Sequence, residues 1–96
     1  MSINRLINIG FSNVVMTSRI VCVLQSESAA AKRLKQESKS SGKLIDATQG
    51  RKTRSLLILD TDHLVLSSLR TESIQKRSEL GNIPMPEEEE LEEIEQ

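Results

Sequence analysis

Ser55-Leu56-Leu57-Ile58-Leu59-Asp60-Thr61-Asp62-His63-Leu64-Val65-Leu66-Ser67-Ser68-Leu69 is the stretch that decides the fold of this 96-residue chain. Two apolar runs, too short for helices, flank a tetrad with two aspartates, a pattern that predicts a β-hairpin. In Leu56-Leu57-Ile58-Leu59 successive residues are all apolar, so both faces of that strand need cover.

Upstream, Lys43 to Ala47 is a third short apolar run, and with the hairpin it predicts a three-stranded meander. Before it, Ser26 fits a helix N-cap and Glu27 a first turn, with a helix to about Ser40 and Gly42 as its C-terminal stop. Ala29, Ala30 and Leu34 give that helix a thin apolar side, while Lys32, Arg33, Lys35 and Lys39 spread over the rest as a solvated face or a contact surface. From Ile3 to Leu24, β-branched residues broken by Gly10 and Ser12-Asn13 predict two strands joined by a turn. Thr17-Ser18-Arg19 interrupts the second strand as a tight turn or a bulge, and either puts Arg19 outside the apolar line. Downstream, Thr71-Glu72-Ser73 opens a short last helix through about Arg77.

The fold class is therefore α+β: a small, mostly antiparallel sheet with one main helix and a short C-terminal helix, in a domain over residues 1–80. Residues 81–96 form an acidic tail that Pro84-Met85-Pro86 and the glutamate run mark as disordered. Ile20 to Leu24, like Leu56 to Leu59, is apolar on both faces, and Phe11 is the only aromatic residue, so the core is thin. One narrow helix cannot cover both strands, which predicts that a neighbouring subunit supplies the rest.

The net charge of −1 hides two opposite signals. Glu87, Glu88, Glu89, Glu90, Glu92, Glu93 and Glu95 hold half of the fourteen acids, leaving residues 1–86 with thirteen basic and seven acidic groups, a formal +6. Three cations, Arg51, Lys52 and Arg54, crowd beside Gly50 in the connection that follows Leu44-Ile45-Asp46-Ala47-Thr48-Gln49. Cations crowded on one connection repel each other, and glycine lets a backbone come close to a ligand, so this connection predicts an anion site. Phosphate contact is its direct use. Single strands are usually gripped by stacking bases on aromatic side chains, for which Phe11 alone provides no platform, so duplex DNA is the expected partner.

Catalytic signals are weak. The four glycines are isolated, so there is no phosphate-cradling loop and no dinucleotide fingerprint. His63, with Asp60 and Asp62, lacks an obvious further set of metal or acid-base partners, and the aspartates suit turn formation. No enzyme activity, metal, cofactor or small-molecule substrate is expected. Cys22, alone among apolar neighbours, reads as a small buried hydrophobe, with a redox-sensing thiol as the alternative. No apolar run is long enough to span a bilayer, and Met1-Ser2-Ile3-Asn4-Arg5 lacks a signal-peptide core, so a cytoplasmic protein without membrane contact is expected.

The sequence resembles the RemA family of bacterial regulators, formerly a domain family of unknown function. Leu6-Ile7-Asn8-Ile9-Gly10-Phe11, Asn13, Val15, Arg19, Glu27-Ser28-Ala29, Lys32-Arg33, Leu44-Ile45-Asp46-Ala47-Thr48, Gly50-Arg51, Thr53-Arg54, Asp60, Asp62-His63 and Leu66-Ser67 carry the resemblance, over residues 5 to about 77. The resemblance implies a ring-shaped homo-oligomer, an octamer, whose repeated basic loops bind promoter DNA and activate genes of the biofilm matrix. It implies essential roles for Arg19 and Arg51, and puts Lys52 where the family usually has a second arginine. Lysine keeps the charge there but lacks the planar fork. Gln49 stands where the family often has an aromatic residue, and Ser12 where it often has glycine.

Arg19, Arg51, Lys52 and Arg54 are thus the expected DNA contacts of a transcriptional regulator that associates with the bacterial nucleoid. Two other classes fit the same loop: an adaptor that binds an acidic protein, and a regulator that binds structured RNA. The acidic tail is either a solubilising appendage or a DNA mimic that competes for the basic loops.

Overall fold

A computed structural model of the chain describes residues 5–79. Strands β1 (Leu6–Asn8) and β2 (Val14–Met16) form an antiparallel ribbon, and a four-stranded sheet contains β3 (Ile20–Gln25), β4 (Leu44–Asp46), β5 (Ser55–Leu59) and β6 (Leu64–Ser67) in the order β3-β5-β6-β4. Helix α1 (Ala29–Ser41) lies between β3 and β4 in sequence, and α2 (Thr71–Glu79) follows β6. The expected α+β class and the expected last helix are both present.

The hairpin β5–β6 forms as its sequence predicts, with Leu56 opposite Leu66 and Leu57 opposite Val65. The meander does not form. β4 pairs in parallel with β6, Leu44 against Leu64 and Asp46 against Leu66, and takes the sheet edge. Burial explains the choice: every residue of β6 is buried, whereas Ile45 and Asp46 of β4 are exposed. A meander would have put the fully buried strand at the edge and the largely exposed one inside.

Each face of the sheet is covered by the chain itself, which corrects the expectation that β5 needs a neighbouring subunit for cover. On one face Leu56, Leu64 and Leu66 pack with Ala31 of α1 and with the partly buried Leu24 and Leu34. On the other, Leu57 and Val65 pack with Ile7 and Ile9 of the ribbon, Ala47, Leu69 and Ile74 of α2. For β5 the ribbon and α2 do the work that sequence reasoning gave to a second chain, whereas no residue of β3 is fully buried. β3 lies at the opposite edge, and there Val21 remains 67% exposed.

Local details depart from expectation at the helix cap and in the second predicted strand, while the helix stop and a turn at Thr17–Arg19 are as expected. Ser28, not Ser26, caps α1: its hydroxyl accepts from the Ala31 amide at 3.0 Å. This shifts the buried side of the helix to Ala31 and Leu34, and leaves Ala29 and Ala30 exposed. Gly42 ends the helix in a left-handed conformation, φ 75°. Thr17–Arg19 is a single 3-10 turn, so the second predicted strand is two strands in different sheets.

The ribbon turns through Gly10, Phe11 and Ser12, all at positive φ (115°, 55° and 63°), with the Asn13 amide donating to Gly10 O at 3.0 Å. A left-handed Ser12 accounts physically for a preference for glycine there. A Cβ on Gly10 would lie 3.2 Å from Ser68 Oγ. The tail, expected to be disordered, lies outside the described residues.

Candidate nucleic-acid interface

Because β4 pairs with β6 rather than β5, residues 47–54 must carry the chain past the end of β6. The cationic connection is therefore a crossover tied to that strand at both ends. Ala47 N donates to Leu66 O at 3.0 Å, and Arg54 N donates to Ser67 O at 2.9 Å. Ser26, released from capping, pins the far end: its hydroxyl donates to Thr53 O at 2.9 Å and its amide to Arg54 O at 3.2 Å.

The near end is shaped by Asp46. Its Oδ1 accepts from Thr48 Oγ1 at 2.6 Å and from Thr48 N at 2.9 Å, closing an Asx-type turn. These bonds, first the side-chain one and then the backbone one, hold the Asp46 carboxyl below its usual value; nearby Lys35 adds to the effect and partial burial opposes it. Asn13 Nδ2 from the ribbon turn reaches Ala47 O at 3.3 Å. At the tip, Arg51 N donates to Thr48 O at 2.9 Å across Gln49 and Gly50, both at positive φ (56° and 81°). Two consecutive left-handed residues are the pattern of a type I′ turn, in which glycine is favoured.

This frame presents Arg51 and Lys52 exposed and Arg54 half-buried. Lys52 and Arg54 line a shallow cleft with Arg70, where the first turn of α2 begins, and with Glu27 and Glu72. A neighbouring hollow shares Ser26, Glu27 and Thr53 and adds Lys32 and Lys35 of α1. Sequence reasoning missed Arg70, which is 16 positions from Arg54 and has no basic neighbour in sequence to mark it. Lys32 and Lys35, expected to belong to a solvated face rather than a contact surface, stand beside Thr53 at the border of the loop.

Arg19 is elsewhere. Its guanidinium meets Asp60 at 3.1 Å, with side chains 55% and 42% exposed, and the Asp60 amide donates to Arg19 O at 2.9 Å. Asp60 is six positions after Arg54, roughly 20 Å along β5. The four predicted contacts thus form a group of three at one end of β5 and Arg19 at the other.

Other chemistry is sparse. Among the described residues no group of three His, Cys, Asp or Glu side chains is placed to hold a metal. His63 Nδ1 lies 2.7 Å from Thr61 Oγ1 within the hairpin turn, and the free Cys22 is half-buried. A cavity of about 580 Å³ between β1, β3 and α2 is lined by Ile7, Ile20, Val23 and Ile74 with hydroxyl and amide groups, and among the described residues Glu79 is its one titratable side chain. No helix among the described residues is long and apolar enough to cross a membrane. Sequence reasoning also overlooked Arg77, 1% exposed, whose Nη1 donates to Asn8 O at 3.1 Å and ties α2 to the ribbon.

Residues 6–77 match the RemA-like family, described as extracellular matrix regulatory protein A-like. Similar proteins share the name "Putative regulatory protein". One from Leptospira biflexa serovar Patoc is 55% identical over 76 residues, 79% of this chain and 81% of that protein. One from Thermosipho melanesiensis is 56% identical over 72 residues, 75% of this chain and 77% of that protein, and one from Fervidobacterium nodosum is 54% identical over the same length and shares.

Proposed function

Since the chain belongs to the RemA-like family, we propose that it is a regulatory protein that controls transcription by binding duplex DNA as a ring of identical subunits. The observation that carries this is the crossover 47–54. Its backbone is held by β6, Ser26 and Asp46, while Arg51 and Lys52 are exposed and Lys52 lines a cleft with Arg54 and Arg70. A fixed backbone with exposed cations offers phosphates a preorganised contact, at less ordering cost than a loose basic loop.

Arg51, Lys52 and Arg54 form the main clamp, and Arg19 is a second contact, made where DNA runs along β5 or meets an adjacent subunit. Lys52 binds a phosphate as a point charge, and the arginines can add a planar, two-bond grip on phosphate or a guanine edge. Three or four phosphate contacts per subunit bind weakly and with steep salt dependence. A ring, octameric by resemblance, multiplies them along one duplex. The monomer core is complete without a partner, so association must use surface apolar groups; Leu6 and Val14 on the ribbon and Val21 on β3 are exposed and suited to it. On this reading the protein works in the bacterial cytoplasm, on the nucleoid.

Competition binding with the purified, mass-determined particle tests the proposal. Labelled duplex DNA is expected to be displaced by unlabelled duplex at much lower concentration than by an RNA hairpin of equal length. Preference for the hairpin would transfer the loop to an RNA target, and binding of neither by an intact oligomer would favour an acidic protein partner.

A further inference from the structure

We infer that the chain's own glutamate run, Glu87 to Glu95, occupies the basic cleft of Lys52, Arg54 and Arg70 when DNA is absent, and so sets the threshold for DNA binding. The inference rests on the duplex-DNA reading of the loop and adds its regulation. Three observations carry it.

The first is the cleft itself. Three cations face two carboxylates, Glu27 and Glu72, at the start of α2, whose first turn adds a partial positive charge. A ligand bearing several carboxylates suits this lining for the same reason a phosphate backbone does.

The second is where the chain leaves the fold. α2 starts at the cleft with Thr71 and ends at Glu79, nine residues or roughly 14 Å away. Residues 80–86 then give a contour length of roughly 25 Å before Glu87. The glutamates can therefore return along the whole of α2 and reach the cleft, and no neighbouring subunit is required.

The third is charge. Residues 1–86 carry +6, and the last ten residues carry seven glutamates. Attached through so short a segment, the run meets the cleft at an effective concentration on the order of millimolar. A weak, salt-sensitive contact is thus populated in the free protein and is displaced by a polyanion of higher charge density.

The test keeps the full chain and changes only the seven glutamates, each to Gln, which leaves the described fold untouched. DNA affinity of the substituted and native proteins is measured across a salt series. Backbone amide shifts of residues 50–54 and 70–72 are compared between them without DNA. The expected result is DNA binding about threefold to tenfold tighter at low salt, converging at high salt, with amide shifts concentrated at those residues. Equal affinity without such shifts overturns the inference and leaves the DNA reading standing. Tighter binding without shifts at the cleft also overturns it, because the tail then only repels DNA at a distance. If neither protein binds DNA, the DNA reading fails, and the amide shifts alone still decide whether the tail sits in the cleft.

Discussion

The two ends of β5 carry arginines in different settings, one beside a hairpin turn and one on a crossover. At the Asp60 end, Arg19 is paired with a carboxylate, and the backbones of the two residues are hydrogen-bonded as well. At the Ser55 end, the carboxylate nearest in sequence, Asp46, is turned to the Thr48 hydroxyl and amide, and backbone bonds fix the loop that presents Arg51 and Lys52. Charge alone does not distinguish an arginine that holds a fold from one that holds a ligand. The difference lies in which local bonds the frame has already made without it.

The strongest challenge to this contrast is Arg51→Ala. Because the residue recurs in every subunit, the loss multiplies around a ring, and duplex affinity should fall at least about thirtyfold at moderate salt while molar mass stays unchanged. Retained affinity in a properly assembled variant would remove the loop from the interface. Next comes Gly50→Ala. Nothing lies within 4 Å of the added methyl, so space is not the obstacle; φ of 81° is. A cost of about 1 kcal/mol in chemical denaturation is expected, with weaker DNA binding because the loop tip is redrawn. Unchanged stability and affinity would show that the tip geometry is dispensable.

Much of the fold was legible in the sequence. The hairpin through Asp60–His63, the turn at Gly10–Asn13, α2 and the Gly42 stop all depend on local chemistry that a short window contains. The parallel pairing of β4 with β6 was not legible, because it depends on which strands need two covered faces, and that becomes clear only once the ribbon and α2 are seen to share one side. The cap at Ser28 was missed since Ser26 and Ser28 have equal local credentials, and only the tertiary bond from Ser26 to Thr53 separates them. In the site, Arg51 and Lys52 were visible as a cluster, whereas Arg70 joins them only through folding.

Acid should act on the loop before the core. The folded state favours the Asp46 carboxylate, so its stabilising contribution is complete above its ordinary value of 3.8 and is lost as pH falls through the lower folded value. The group is solvent-exposed, so the loss is small, but it is local. Protection factors of the Thr48 to Arg51 amides, corrected for the intrinsic pH dependence of exchange, should fall on acidification below about pH 4, and Asp46→Asn should weaken that response. Exchange that changes only together with Leu57 and Val65 would mean that the turn has no separate stability.

The smallest effect is the most discriminating one. Asp60→Asn frees the Arg19 guanidinium at a stability cost of under about 1 kcal/mol, as befits an exposed pair. If Arg19 contacts phosphate, DNA binding should tighten by roughly twofold, since a competing carboxylate is gone. A decrease would instead identify the pair as a strut.

The most direct test of the loop as a phosphate clamp is the slope of log affinity against log salt for duplex DNA, measured for the native protein and for the Arg51→Ala, Lys52→Ala variant with molar mass checked on the same samples. Each lost phosphate contact should reduce the slope by roughly 0.9, so a shallower slope by about two units per engaged subunit is expected from a particle of unchanged mass. An identical slope and affinity in the two proteins would contradict the account.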